Sequence, residues 1–201
     1  MIEYFKDHGY NLRKPNQSYI YPIRSGWKYK NTSCENTFYF SNNQHQVTLY
    51  YQPVIYNTDW SSVNGIGLYR NNSIPANTDD EKGAPYYTPD YLIKIENKNT
   101  AKYLIIDAKF SDSATVKKYD VKDLAFKYLF SVSPINATDI VMGMCIIYGK
   151  CTKHDQLKSA YDKQLSNSTI IPMADTLPMI EGVNTEYHYN NLDILFNKVL
   201  R

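Results

Sequence analysis

From residue 18 to residue 56 short aromatic and β-branched runs alternate with Asn-, Ser- and Gln-rich stretches. Tyr19-Ile20-Tyr21, Thr37-Phe38-Tyr39-Phe40 and Val47-Thr48-Leu49-Tyr50-Tyr51 predict three strands joined by polar turns. Before them, residues 1–8 have the pattern of one or two helical turns stopped at Gly9, a residue type favoured just past a helix C-terminus. Such a helix is either a minor element or the tail of a longer helix in a larger protein. Residues 57–85 carry Asn, Asp, Gly and Pro and are expected to be mainly loop, with Gly67-Leu68-Tyr69-Arg70 as a short strand.

The second half is better punctuated. Residues 91–96 and 102–110 are strand-like runs around Asn97-Lys98-Asn99-Thr100-Ala101, which predicts a hairpin. Val121, Leu124, Ala125, Tyr128 and Leu129 then fall on one stripe of an amphipathic helix that starts near Val116 and is expected to end at Ser133-Pro134. Residues 139–148 are continuously apolar over a strand's length, the pattern of a central strand covered on both faces. Residues 152–165 look helical and polar, and Thr169-Ile170-Ile171 looks like a short strand. Asn191 is placed to cap a last helix whose Leu192, Leu195, Phe196 and Val199 share a face.

Composition narrows the class. A chain of 201 residues with 43% hydrophobic and 21% charged side chains suits one globular unit with a sizeable core, and excludes wholesale disorder. Its longest apolar run is about half the roughly 20 residues that a membrane span needs, and residues 1–30 contain no apolar signal core. Cys34, Cys145 and Cys151 form an odd set without CxxC spacing, so packing roles and a reducing, cytoplasmic setting are expected. Nor do His8, His45, His154 and His188 show metal-ligand spacing. The net charge of +2 does not argue by itself for a polyanionic partner, but its distribution is uneven. Residues 93–127 hold eight lysines against five acids, whereas residues 174–197 hold four acids and no Lys or Arg. Of 20 tyrosines, 13 fall in the first 91 residues, which favours a strand-rich N-terminal half.

Chemistry concentrates between residues 89 and 127. In Asp107-Ala108-Lys109, strand alternation points Asp107 and Lys109 to one face and Ala108 to the other. Pro89-Asp90 opens the preceding strand, and a tight antiparallel hairpin brings that start beside the end of the next one. Two carboxylates and a lysine then converge. A divalent cation relieves the repulsion between the carboxylates, and all-oxygen ligands favour Mg²⁺ or Mn²⁺. Lys109 would orient or deprotonate an attacking water, or stabilise charge developing on a phosphate. Lys117, Lys118, Lys122 and Lys127 on the following helix could track a phosphate backbone, and a merely solvated helix face is the competing reading.

Pro89-Asp90, the 17-residue step to Asp107, and Asp107-Ala108-Lys109 resemble the PD-(D/E)XK signature of restriction-endonuclease-like nucleases. Residues 104–110, followed by Lys122-Asp123-Leu124 and Lys127-Tyr128, look most like the nuclease component of McrBC-type restriction systems and its relatives. The resemblance covers residues 86–150 well and the aromatic strands before them loosely. It implies an α/β fold whose restriction-endonuclease-like core is a mixed sheet flanked by helices, formed from a helix, a three-strand meander, a second helix and a fourth strand. On this reading residues 1–201 are a single nuclease-like domain, with a β-rich portion at 1–85, the core at 86–150 and a helical and strand extension at 151–201. Asp90, Asp107 and the Ala108 carbonyl are implied as metal ligands and Lys109 as the catalytic lysine. The implied activity is Mg²⁺- or Mn²⁺-dependent hydrolysis of DNA, RNA not being excluded, in restriction or antiviral defence with a motor or sensor partner. The Gln-x-x-x-Tyr motif of RecB-like branches is not reproduced, although Tyr128 supplies an aromatic there. Glu3 is the sole candidate for the acid that many members carry on the first helix.

Asp107 and Lys109 could equally form a plain ion pair at a strand end, with Asp90 a turn residue after proline. The alternative function is then a catalytically inactive nuclease-fold module that binds nucleic acid or assembles with a partner. A β-rich carbohydrate- or protein-binding domain rests on the tyrosines alone. Of these, Tyr86, Tyr87 and Tyr91 bracket Pro89-Asp90 and are candidates to line a cleft.

Overall fold

The computed structural model describes residues 1–13, 19–25, 28–34, 36–56, 66–71, 86–151, 155–159, 171–179 and 185–200. In chain order these form α1 (Ile2–Asp7), β1 (Asn11–Leu12), β2 (Tyr19–Ser25), β3 (Lys28–Cys34), β4 (Thr37–Ser41), β5 (Gln46–Tyr51), β6 (Ile55–Tyr56), β7 (Leu68–Arg70), β8 (Tyr86–Tyr87), β9 (Tyr91–Asn97) and β10 (Thr100–Asp112). A helix α2 over residues 113–130 follows, then β11 (Val132–Pro134), β12 (Ile140–Lys150), β13 (Lys158–Ser159), β14 (Met173–Pro178) and α3 (Thr185–Leu200). The fold is mixed α/β, a large mixed sheet flanked by helices.

Among the described residues that sheet has eight strands in the order β1-β4-β5-β9-β10-β12-β14-β13. From β1 through β10 neighbours are antiparallel, while β10, β12 and β14 run parallel, and the crossover from β10 to β12 carries α2. The side-chain period of two divides β10 between two cores. Leu104 and Ile106 face a core with Phe5 of α1 and Leu195 and Phe196 of α3. Tyr103 and Ile105 face the other, with Val116, Leu124 and Tyr128 of α2. Central strands buried on both sides lose the polar alternation of a half-exposed sheet, which is why residues 139–148 look uniformly apolar. Gly143 carries φ +150° where β10 and β12 shift register, and a Cβ there would overlap the Met173 backbone of β14. The close approach of three strands therefore depends on a glycine.

Several expectations need correction. The N-terminal portion has more strands than the three aromatic runs predict, because Lys28–Cys34 pairs with Tyr19–Ser25 despite its polar composition. Ser133-Pro134 does not end the helix. α2 stops at Phe130, where the Ser131 hydroxyl donates to the Phe126 carbonyl at 2.9 Å, and Val132–Pro134 pairs with β7 at a sheet edge that tolerates proline. Within residues 152–165, Lys158–Ser159 is a strand on β14, and residues 152–154 and 160–165 lie outside those described. The strand expected at Thr169-Ile170-Ile171 is displaced: residues 169 and 170 are outside the described set, Ile171 is a bend, and the strand is Met173–Pro178. Its polar centre, Asp175-Thr176, hides a segment that is buried throughout. Asn191 caps nothing, because α3 begins at Thr185; mid-helix, its side chain accepts from the Leu157 N–H at 3.0 Å and donates to the Tyr187 carbonyl at 3.3 Å. The acids of residues 174–197 are not simply an acidic face, since Asp175 binds Lys198 at 2.7 Å and Asp193 binds Tyr4 at 2.7 Å and His8 at 2.9 Å. No helix among the described residues is long and apolar enough to cross a membrane.

Candidate functional site

The β9–β10 hairpin turns at Lys98-Asn99 and pairs in register from Thr100↔Asn97 to Ile106↔Tyr91. One residue beyond the last pair stand Asp107 on β10 and Asp90 before β9. Alternation puts both on the α2 side, because Leu92 and Ile105 belong to that core. Proline at 89 and the bend at Asp90 end the ladder there, so backbone groups of β10 meet side chains instead of another strand. The Ala108 N–H donates to Asp90 Oδ2 at 2.7 Å, and the Asp90 carbonyl accepts from the Gln52 N–H at 2.7 Å. Asp90 is thereby fixed from both sides.

Asp107 is 7% exposed and its two oxygens have different partners. Oδ1 accepts from the Lys109 ammonium in a close ion pair, and Oδ2 accepts from the Tyr128 hydroxyl at 2.9 Å. Tyr128 is fully buried, and burial, followed by the Asp107 charge, holds its phenol far above the ordinary tyrosine range. The hydroxyl therefore stays protonated and donates to the carboxylate. Tyr128 combines the core role that its stripe position predicts with a polar role that the stripe conceals.

α2 delivers Lys127 to the same place. Two stretches, Val116–Asp120 and Phe126–Phe130, are wound as π turns, with the Val121 N–H reaching the Val116 carbonyl, while the junction residues stay in right-handed helical geometry. π turns recur where a helix presents side chains to a site. The half-buried Lys127 ammonium lies 4.8 Å from the Tyr128 ring centroid and 5.3 Å from that of Tyr87. Burial pulls its pKa below the usual lysine value; Asp107 and Asp90 oppose that shift, whereas Lys109 and Arg70 reinforce it. Arg70, at the end of β7, places its guanidinium 4.5 Å from the Tyr87 centroid, and Tyr87 meets Tyr128 edge-on at 6.2 Å.

Asp90, Asp107, Lys109, Lys127 and Tyr128 are thus brought together, along with Arg70 and Tyr87. The sequence gives no local signal for Arg70, because its approach depends on β7 pairing with β11; Tyr87 is marked there only by its nearness to Pro89-Asp90. Tyr91 packs on Tyr51 at 5.5 Å beside Asp90, and the Tyr86 side chain lies outside the described residues. Lys117, Lys118 and Lys122 are exposed on α2, Lys118 lying over the Tyr119 ring at 5.0 Å. Glu3 does not join. It pairs with Lys6 at 2.9 Å on α1, which packs against the opposite face of the sheet from Asp107.

Among the described residues no three or more His, Cys, Asp or Glu side chains gather as a metal cluster, so side chains alone offer two acidic ligands at this site. Backbone geometry puts a third oxygen on the same strand edge. The N–H and C=O of one extended residue leave the strand on the same side, so the Ala108 carbonyl points toward Asp90 as its N–H does. Two carboxylates and one carbonyl suit a hard cation such as Mg²⁺, which binds through one or two carboxylates and keeps several waters.

No protein-family model matches the chain, and no curated protein matches it.

Proposed function

We propose that this protein is a Mg²⁺- or Mn²⁺-dependent endonuclease that hydrolyses phosphodiester bonds in DNA, with a restriction-endonuclease-like core. The observation that carries the reading is the convergence of Asp90, Asp107 and Lys109 where the β9–β10 ladder ends. Further support comes from element order: α1, the antiparallel β5–β9–β10 meander, α2, and β12 parallel to β10 follow the sequence of elements that the PD-(D/E)XK resemblance implies.

Asp90, Asp107 and the Ala108 carbonyl would hold the cation, which supplies positive charge against the phosphate and lowers the pKa of a water it carries. The protein's own groups do the rest. Asp107 keeps Lys109 at the strand end, where its ammonium orients the attacking water and donates to the phosphate oxygen as negative charge develops. Tyr128 holds Asp107 in its rotamer, and the Ala108 N–H holds Asp90. Lys127 adds a fixed positive charge on the α2 side, and Lys117, Lys118 and Lys122 extend it along the exposed helix.

The test is cleavage of plasmid and linear DNA with Mg²⁺ or Mn²⁺. Asp107→Ala and Lys109→Ala should each lower the rate about 1,000-fold or more, as expected when several kcal/mol of transition-state stabilisation is removed. Unchanged cleavage by either purified, folded variant would refute the assignment. If the wild-type protein binds nucleic acid and neither binds metal nor cleaves, the inactive-module reading replaces it.

A further inference from the structure

Lys127 is a half-buried ammonium with no hydrogen-bond or ion-pair partner among the described residues. Burying a cation is unfavourable unless an anion or a set of acceptors replaces its water. The nearby carboxylates act on it from a distance, and three of their four oxygens already accept a hydrogen bond: Asp107 Oδ1 from Lys109, Asp107 Oδ2 from Tyr128, and Asp90 Oδ2 from the Ala108 N–H. Arg70 lies on the same Tyr87 ring, which places the two cations within about 10 Å of one another, inside the range over which like charges repel in dilute salt. A divalent cation on Asp90 and Asp107 would cancel the attraction those carboxylates exert on Lys127, leaving it among Arg70 and Lys109. The ring contacts with Tyr87 and Tyr128 hold Lys127 in place without neutralising it.

We propose that Lys127 and Arg70, set on the Tyr87 ring beside the carboxylate pair, bind a second phosphate of the substrate strand, adjacent to the phosphate that is attacked. The nature of the ligand rests on the phosphodiesterase reading. This subsite makes the substrate a strand with at least two successive phosphates, because a single-phosphate diester leaves Lys127 unpaired. Tyr87 is the positioning residue for both cations, its ring centroid lying 4.5 Å from the Arg70 guanidinium and 5.3 Å from the Lys127 ammonium.

The experiment is equilibrium binding of a short fluorescein-labelled single-stranded DNA to the full chain, followed by anisotropy over a salt series with chelator present, so that no cleavage is required. Lys127→Met should weaken binding and reduce the slope of log affinity against log salt by about 0.7, the change expected when one phosphate of a single strand is no longer neutralised. Lys127→Arg should restore both. Lys98→Met, which removes the same charge from the hairpin turn at the far end of β9 and β10, should leave the slope near wild type. The proposal is overturned if Lys127→Met behaves as Lys98→Met does, or if the wild-type chain does not bind DNA. Failure of the nuclease reading shows separately: a K127M slope change in a protein that never cleaves DNA with Mg²⁺ keeps the phosphate subsite and removes the catalytic assignment.

Discussion

Two aspartate–lysine pairs lie on opposite faces of the same sheet, and their surroundings differ more than their chemistry. Asp175 of β14 is 2% exposed, faces the α1–α3 core and binds Lys198 of α3 at 2.7 Å. Asp107 of β10 is 7% exposed, faces α2 and binds Lys109 of its own strand. Asp175 sits mid-strand, with β12 on one side, β13 on the other and α3 above it, and its lysine partner comes from the covering helix. Asp107 sits where the ladder with β9 stops. That break admits Asp90, exposes backbone groups of Ala108, and lets α2 bring Tyr128 and Lys127. A buried ion pair by itself is weak grounds for function. Here the distinguishing feature is a second carboxylate and a cation, Lys127, without a hydrogen-bond or ion-pair partner among the described residues, gathered at a strand end.

The comparison breaks first at stability. Asp175→Asn leaves Lys198 against a neutral amide inside the fold, and with that lysine's side chain 28% exposed the expected loss is about 2 kcal/mol, below the range for fully buried pairs. Asp107→Asn keeps an acceptor for Tyr128 and removes repulsion from Asp90, so its stability should stay within about 1 kcal/mol of wild type. Urea midpoints measure both, and a larger loss at 107 than at 175 would reverse the roles assigned to the two pairs. A finer test is Tyr128→Phe, which deletes one hydrogen bond to Asp107 while keeping the ring. Stability should fall by about 1 kcal/mol, and cleavage by about 10- to 100-fold, as for other groups that orient a ligand without touching the metal. Wild-type cleavage by this variant would mean that Asp107 needs no help from α2.

How much is legible in the sequence follows the same division. The hairpin, the shared face of Asp107 and Lys109, the two-sided burial of β12 and the apolar stripe of α3 follow from periodicities of two and 3.6, which are local properties. Asp90 comes with the hairpin register. The Asp175–Lys198 pair is hidden because it needs β14 parallel to β12 and α3 packed over both, and the polar residues inside β14 disguise it as loop. Asn191 misleads for a related reason: a side chain suited to capping works mid-helix, tying α3 to Leu157. Arg70 and Tyr87 are placed by short strands that pair across long sequence separations, and no local pattern records that pairing.

The central claim is that the strand end holding Asp90 and Asp107 is a divalent-cation site and the strand centre holding Asp175 is not. Calorimetric titration with Mn²⁺ tests it most directly, since it needs neither substrate nor partner. The account predicts that the wild-type chain and Asp175→Asn each bind Mn²⁺, and that Asp90→Asn and Asp107→Asn each weaken binding at least about 10-fold. Mn²⁺ affinity left unchanged by Asp90→Asn and Asp107→Asn would contradict it.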